Sequence, residues 1–474
     1  MQIKFGTDGW RGIIAEDFTF KNVRVVAQAI ADYLWGRVHV LHRKNEPVPI
    51  IVVGYDTRFL SKEFADTVAK VLSANGIKTY LTSKSTPTPA VSYGVLLKKT
   101  NGAVVLTASH NPPEYCGIKI KGDYGGAAFP EITESIEKYL FKNEVRKDYR
   151  PELVEIIDLK QEYLKKISSY VNIDSILKSK LKIVVDPMHG VTAGYLNEVF
   201  KSSSLKVTYI NQNQDPLFNR IRPEPLKENL CELIKTVKKT RADIGLATDG
   251  DGDRIGVVSD KGEFLDAQKL IPLFMLHLIK NRNLTGKAVR TNATTILVEK
   301  IAKKYNIEVF ETPIGFKYVT SLMLNDDILI GGEESGGIGY KGYLPERDGL
   351  LGALLALELI TVTRKKISKL ISEMENEFGK FRYVRKDYSM PTSEIKRVVS
   401  FVNGFKPDNI LNVQVVKITT FDGIKYILKD DSWLLVRASG TEPIIRFYSE
   451  ANDSKKANAL IEFIIKKLKL GGEK

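Results

Sequence analysis

Short β-branched apolar runs recur along the chain, each followed by a turn rich in Gly and Asp and then by a stretch with helical spacing. The clearest lie in "PIIVVGYDTR" (49–58), "LKIVVDPMHG" (181–190) and "ADIGLATDGDGDR" (242–254). Apolar runs bounded by turn residues predict buried strands, whereas apolar residues three and four apart predict amphipathic helices. "SKEFADTVAKVLSANG" has the second spacing and ends on Gly76, a predicted glycine cap. Strand and helix alternate, so the pattern predicts an α/β chain with largely parallel or mixed sheets. The most apolar stretch, "GLLGALLALELITV" from Gly349, is too short to span a bilayer and carries Glu358, which predicts a buried helix.

Breaks in the pattern divide the chain. "FKNEVRKDYRPELVE" (141–155) is polar and charge-rich and reads as a first linker. A second boundary falls near residue 260, after "GVVSDKGE", and a third around "GKFRYVRKDYSMPTSE" (379–394). The expected units are residues 1–150, 151–259, 260–378 and 379–474. The last differs in kind: "ILNVQVVKITTFDGIKYILKDDSWLLVRASG" reads as strands joined by tight turns such as Asp422-Gly423, an α+β unit. No fixed-period repeat appears, which argues against a solenoid.

Composition narrows the class. With 474 residues, 43% hydrophobic and 27% charged, the chain has the makings of real cores and of no long disordered region. Lys and Arg number 71 against 57 Asp and Glu, a net charge of +14, which suits nucleic acid, an acidic membrane or small anionic substrates. The lysines are dispersed as pairs such as Lys98-Lys99, Lys238-Lys239, Lys303-Lys304 and Lys466-Lys467, and no zinc finger, RNP or GxxG clamp accompanies them. A basic nucleic-acid-binding protein stays as the rival of another class, although the 20 Phe and 20 Tyr are spread through core-like segments. Cys116 and Cys231 form no CxxC pair, and "MQIKFGTDGWRG" lacks a basic head and apolar run, so a cytoplasmic location is expected.

Several stretches carry candidate chemistry. Asp249, Asp251 and Asp253 alternate with glycines in "DGDGDR", a spacing that can turn hard oxygen ligands toward one cation. Arg254 and Asp260 stand where an EF-hand would need Gly and Glu, so magnesium is preferred over calcium; the bland alternative is an exposed acidic turn. In "TASHNPPEYCGIKIKG" (107–122), Ser109 lacks the G-x-S-x-G elbow of a hydrolase. It can instead accept a phosphoryl group, with His110 and Lys119 as cationic neighbours and the aspartates supplying the metal, or it can merely cap a polar loop. "RASGTEPIIRFYSE" (437–450) offers Arg437, Ser439, Gly440, Thr441 and Arg446 as a phosphate cradle, or as a surface hairpin with two arginines. "GGEESGG" (331–337) sets an acid pair and Ser335 between glycines, suited to sugar hydroxyls and equally to a strand-end turn. "GTDGWRG" (6–12) and "TPIGFK" (312–317) place Arg11 and Lys317 in glycine-rich turns.

Taken in order, "FGTDGWRG", "TASHNPPEYCGIKI", "DGDGDR", "GGEESGG" and "RASGTEPIIRFYSE" resemble the α-D-phosphohexomutase family across essentially the whole chain. The resemblance implies a four-domain, heart-shaped enzyme: three related α/β domains with mixed sheets and a C-terminal α+β domain around a central cleft. It implies that Ser109 is the phosphoserine, sharing Mg2+ with Asp249, Asp251 and Asp253. It implies that Glu333 and Ser335 hold sugar hydroxyls and that Arg437 to Thr441, with Arg446, clamp the phosphate. Arg11, Lys119, Lys317 and Arg254 match cationic active-site positions, one lysine as general acid or base. The implied reaction interconverts a hexose 1-phosphate and 6-phosphate through a bisphosphate, such as glucose 1,6-bisphosphate, with a phosphosugar as the partner, no nucleic acid or membrane, and a monomer or homodimer as the assembly. Two departures stand out: Cys116 where many relatives have Asn, and Gly337 and Glu334 where the "GEMSGH" and "GEQSGH" loops carry His and Met or Gln. "GEESGG" is closer to glucose-directed members, so glucose is expected first, mannose or both sugars second and glucosamine last.

Overall fold

The computed structural model describes residues 3–6, 8–40, 48–440 and 443–470. Among these residues the chain forms four sheets. The first runs Trp10–Ile13, Tyr115–Lys121, Ala103–Leu106, Ile50–Tyr55, Lys78–Thr82, Val154–Ile157; its last four strands are parallel, and Tyr115–Lys121 lies antiparallel between its two neighbours. The second is built around the parallel strands Ile244–Thr248, Lys182–Asp186 and Lys206–Tyr209, with Ile255–Ser259 and Phe264–Leu265 added antiparallel. The third joins Val309–Thr312, Lys287–Thr291 and Ile328–Gly332 in parallel and closes with antiparallel Ile338–Tyr340. All pairs of the fourth sheet, which includes Trp433–Ala438 and Ile444–Ala451, are antiparallel, and the helices Thr392–Gly404 and Ser454–Leu468 pack on it.

The apolar runs became these strands because parallel strands are covered on both faces and so read as continuous β-branched stretches. Ala103–Leu106 and Ile244–Thr248 are buried at every residue. The helix Ser61–Ala74 ends as expected, with Gly76 at φ 76° and its amide donating to Ser73 O. Gly349–Thr363 is buried around its first three turns and lies in a core shared by the second and third units. Among the described residues no helix is long and apolar enough to cross a membrane.

The expected unit edges shift in two places. Val154–Ile157 pairs with Lys78–Thr82, so the first sheet extends past residue 150. Phe264–Leu265 pairs with Ile255–Ser259, so the second passes residue 259. The third edge stays where it was expected: Arg382–Ser389 is an edge strand of the fourth sheet, alternately half-buried and exposed over its second half.

Candidate active site

Three of the candidate loops occupy one topological position. In each α/β unit a parallel strand runs into a loop that returns as an antiparallel neighbour. The pairs are Ala103–Leu106 with Tyr115–Lys121, Ile244–Thr248 with Ile255–Ser259, and Ile328–Gly332 with Ile338–Tyr340. The loops are "TASHNPPE", "DGDGDR" and "EESGG". Each leaves the carboxyl end of a parallel strand, where α/β folds place their sites.

The serine loop is rigid by construction. Ser109 is buried and sits at φ 52°, a left-handed conformation that costs an L-residue energy and persists only where the surroundings impose it. Arg58 imposes it: one terminal nitrogen donates to Pro112 O and Tyr115 O at 2.7 and 2.9 Å, the other to Ser109 O and Asn111 O at 2.7 and 2.6 Å. Asp56 pairs with the Nε of that guanidinium at 3.2 Å. Arg11 donates to Asn111 Oδ1 from the neighbouring strand. The Ser109 hydroxyl donates to Asp249 Oδ2 at 2.9 Å and lies 3.4 Å from His110 Nδ1.

Asp249, Asp251 and Asp253 are fully buried, with carboxylate oxygens within 4.8 Å of one another. Their glycines permit this crowding: a Cβ on Gly250 would stand 2.7 Å from Ser109 O, and Gly252, at φ 77°, would place one 2.6 Å from Thr192 Cγ2. Burial, then Asp253 and Asp251, pushes the Asp249 carboxyl well above the usual carboxylate range. Burial also lifts Asp251, but Lys119 and hydrogen bonds from Thr88 and Lys119 more than offset it, and its carboxyl lies below that range. Lys119 reaches Asp253, Asp251 and Asp8 at 2.8, 2.9 and 3.0 Å. Burial alone would lower its pKa; the three carboxylates raise it instead. Asp251 Oδ1 and Asp253 Oδ1 are buried without a hydrogen-bond partner, and hard oxygens left so are what a divalent cation fits.

His110 is not the cation the sequence suggests. Burial first, then Arg254, Arg11 and Arg222, lowers its pKa well below the usual imidazole value, leaving the ring neutral at pH 7. Arg254 is buried, donates to Glu224 Oε1 at 3.2 Å, and has Nε within 4.0 Å of Asp249 and 3.8 Å of Asp253.

In the third unit, Glu333 is buried and Ser335 half-buried in a turn closed by Glu333 N to Gly337 O at 3.0 Å. The turn joins the metal loop directly, since Ile255 N donates to Gly336 O at 3.2 Å. Burial pushes the Glu333 carboxyl up to about 7 against the opposing pull of Arg347. Lys317 opens the helix Phe316–Asn325 and lines a small cavity with Asp8 and Gly9. Arg437 and Arg446 face one another across paired strands and pair with Asp422 and Asp387, at 2.7 and 3.6 Å. Asp422 also accepts from Ile314 N, which joins this arginine to the third unit. Ser439 and Gly440 follow Arg437 at the strand's end, and Thr441 lies outside the described residues. The serine, aspartates, Lys119, His110, Arg11 and Arg254 thus come together in one cluster, while the arginine pair sits on its own sheet. Sequence reasoning missed Arg58, Asp8, Glu224 and Arg347.

Cys116 is buried 3.7 Å from Ser61 Oγ, and burial pushes its thiol up to about 12, whereas Cys231 is exposed. Alkylation of the native protein at pH 8 should therefore stop at one thiol per chain, read by intact mass, with Cys116 reacting only after denaturation.

Family profiles agree with this geometry. Those described as phosphoglucomutase/phosphomannomutase alpha/beta/alpha domains I, II and III match residues 2–147, 161–262 and 266–378, and that of the C-terminal domain matches 394–467. The chain belongs to the α-D-phosphohexomutase family, enzymes that catalyse phosphate transfer within a sugar. It is 33% identical over 468 residues to a phosphoglucomutase/phosphomannomutase of Thermococcus kodakarensis, covering 98% of each chain. It is 32% identical over 464 residues to a phosphoglucosamine/phosphogalactosamine mutase of Sulfurisphaera tokodaii, covering 96% of this chain and 97% of the relative. A solved structure of a candidate phosphomannomutase from Thermus thermophilus matches with a TM-score of 0.87 at 31% identity, covering 99% of both chains.

Proposed function

We propose that the enzyme is a phosphoglucomutase, interconverting glucose 1-phosphate and glucose 6-phosphate through phosphorylated Ser109 and glucose 1,6-bisphosphate. The observation that carries the transfer chemistry is the Ser109 hydroxyl held 2.9 Å from Asp249 in a pocket of three carboxylates and one lysine. A divalent ion, Mg2+ by ligand chemistry, would be held by Asp249, Asp251, Asp253 and an oxygen on Ser109; when bound it offsets the charge of the moving phosphoryl group.

The sugar hydroxyl forms a new bond to phosphorus as the bond to Ser109 Oγ breaks. The hydroxyl gives up one proton and the departing Ser109 oxygen takes one up, so the balance is even. Neutral His110, 3.4 Å from Ser109 Oγ, can carry that proton. Lys119, held protonated by three carboxylates, is a poor base and serves as a fixed positive charge beside the transferring group. The bisphosphate then turns over, and its other phosphate returns to Ser109 while Arg437, Ser439, Gly440, Thr441 and Arg446 grip the one not reacting. Glu333 and Ser335 would hold the sugar hydroxyls, and Arg11, Arg254 and Lys317 would contribute positive charge around the phosphates.

Mannose is the second substrate reading, because the Thermococcus kodakarensis relative carries both sugar names. Turnover of the 1-phosphates of glucose, mannose, glucosamine and ribose, with Mg2+ and a trace of glucose 1,6-bisphosphate, tests the assignment. Glucose 1-phosphate should give the highest kcat/KM. A glucosamine preference would overturn the sugar, and silence across all four would sink the mutase reading itself.

A further inference from the structure

Gly337 ends the sugar loop with no side chain, and its φ lies outside the left-handed region, so backbone geometry does not demand glycine there. Space does. A Cβ at 337 would stand 2.2 Å from Arg347 Cδ and 2.8 Å from its Cγ. That side chain cannot swing aside cheaply, because its far end is fixed. The guanidinium bonds Asp8 Oδ2 and Asp253 Oδ2 at 2.6 and 2.8 Å and approaches Glu333 Oε2 at 3.4 Å and Glu346 Oε1 at 3.6 Å. It also lies over the Phe316 ring at 5.4 Å from the centroid. Asp8 comes from the first unit, Asp253 from the metal loop of the second and Glu333 from the sugar loop of the third, so one planar fork ties together three units.

We infer that Arg347, seated in the room Gly337 leaves, is a positioning residue that aims Glu333 at the substrate sugar and couples the sugar loop to the metal loop. The inference rests on the mutase reading for the identity of the sugar phosphate. The guanidinium 3.4 Å away opposes the burial that disfavours the Glu333 charge, and so favours the accepting carboxylate and a sugar position that donates to it. Glu346 reinforces the seat: it accepts from Lys121 while its other oxygen faces Arg347 Nε, so the arginine is backed by a buried ion pair.

A double-mutant cycle of Gly337→Ala and Arg347→Ala tests the coupling. Arg347→Ala should raise KM for glucose 1-phosphate about tenfold with a smaller fall in kcat, and Arg347→Lys should restore part of the loss. Gly337→Ala should reproduce that rise in the wild type and change KM less than about twofold on the Arg347→Ala background. Both variants should also flatten the discrimination between glucose 1-phosphate and its monodeoxy analogues, which a change in folding alone would leave intact. Calorimetric binding of glucose 1-phosphate to Ser109→Ala protein in EDTA gives the same cycle without turnover or metal. If Arg347→Ala does not fold, the cycle is run with Arg347→Lys, whose shorter contact set predicts a smaller Gly337→Ala penalty. Independent, multiplicative effects, or unchanged discrimination, would overturn the inference. Loss of turnover by the wild type on every sugar would instead indict the mutase reading.

Discussion

Alanine at position 109 should lower kcat for glucose 1-phosphate by about four to six orders of magnitude, as removal of a covalent nucleophile does. It should do so at almost no cost in stability. The loop's shape depends on Arg58 and four backbone carbonyls, not on the serine side chain, and alanine meets the same left-handed backbone at φ 52° that serine already tolerates. The hydroxyl's one strong contact, to Asp249, is lost from a carboxylate that also accepts from Arg254 N at 3.1 Å. Intact mass should show a single phosphoryl group on wild-type protein exposed to glucose 1,6-bisphosphate and none on the variant. Added bisphosphate should not rescue the variant. A Ser109→Ala enzyme retaining more than about 1% of turnover would place the covalent phosphoryl group elsewhere.

What the sequence disclosed and what it hid have physical causes that differ from element to element. Val104 to Leu106 and Ile244 to Thr248 were legible because strands covered on both faces read as nearly continuous uncharged, mostly apolar runs. Ser109 and the aspartate triplet were legible because the glycines and prolines that shape their loops are local. Arg382–Ser389 was hidden as a strand: a half-exposed edge strand need not be apolar, and the consecutive charges Arg385, Lys386 and Asp387 mask its period of two. Arg58, Glu224 and Arg347 were hidden for a different reason. Besides near neighbours such as Asp56 for Arg58 and Arg222 for Glu224, each answers groups remote in sequence, as Arg347 does Asp8 across 339 positions. The "YDTR" at the end of the second strand and the "ERDG" before a largely apolar helix were the available signals, since a charge at a buried element's end needs a partner. The neutral state of His110 could not be read from its neighbours in sequence, because burial first, and then arginines from other segments, set it.

Asp249→Asn should separate the two roles of the aspartate cluster by moving activity and stability in opposite directions. Turnover with Mg2+ should fall by about 10²- to 10⁴-fold, the span that several kcal/mol of lost charge stabilisation gives. Without metal the variant should be the more stable protein. Burial, Asp253 and Asp251 all penalise the Asp249 charge, and asparagine keeps the shape while removing that charge. Relief of one kcal/mol would raise the melting midpoint in EDTA by about 1 °C for a chain of 474 residues that unfolds as a unit. The sign of the pH dependence follows. The folded chain binds the Asp249 proton more tightly than the unfolded chain, so its contribution to stability is complete below the ordinary carboxylate value of about 4 and is lost as pH rises through the raised folded value. In EDTA the variant's advantage should therefore widen with rising pH and vanish in acid. Mg2+ should reverse the order, raising the wild-type midpoint by mass action and the variant's far less. A variant less stable than wild type in EDTA at every pH, with an undiminished response to Mg2+, would mean that Asp249 holds the loop's shape and not the ion.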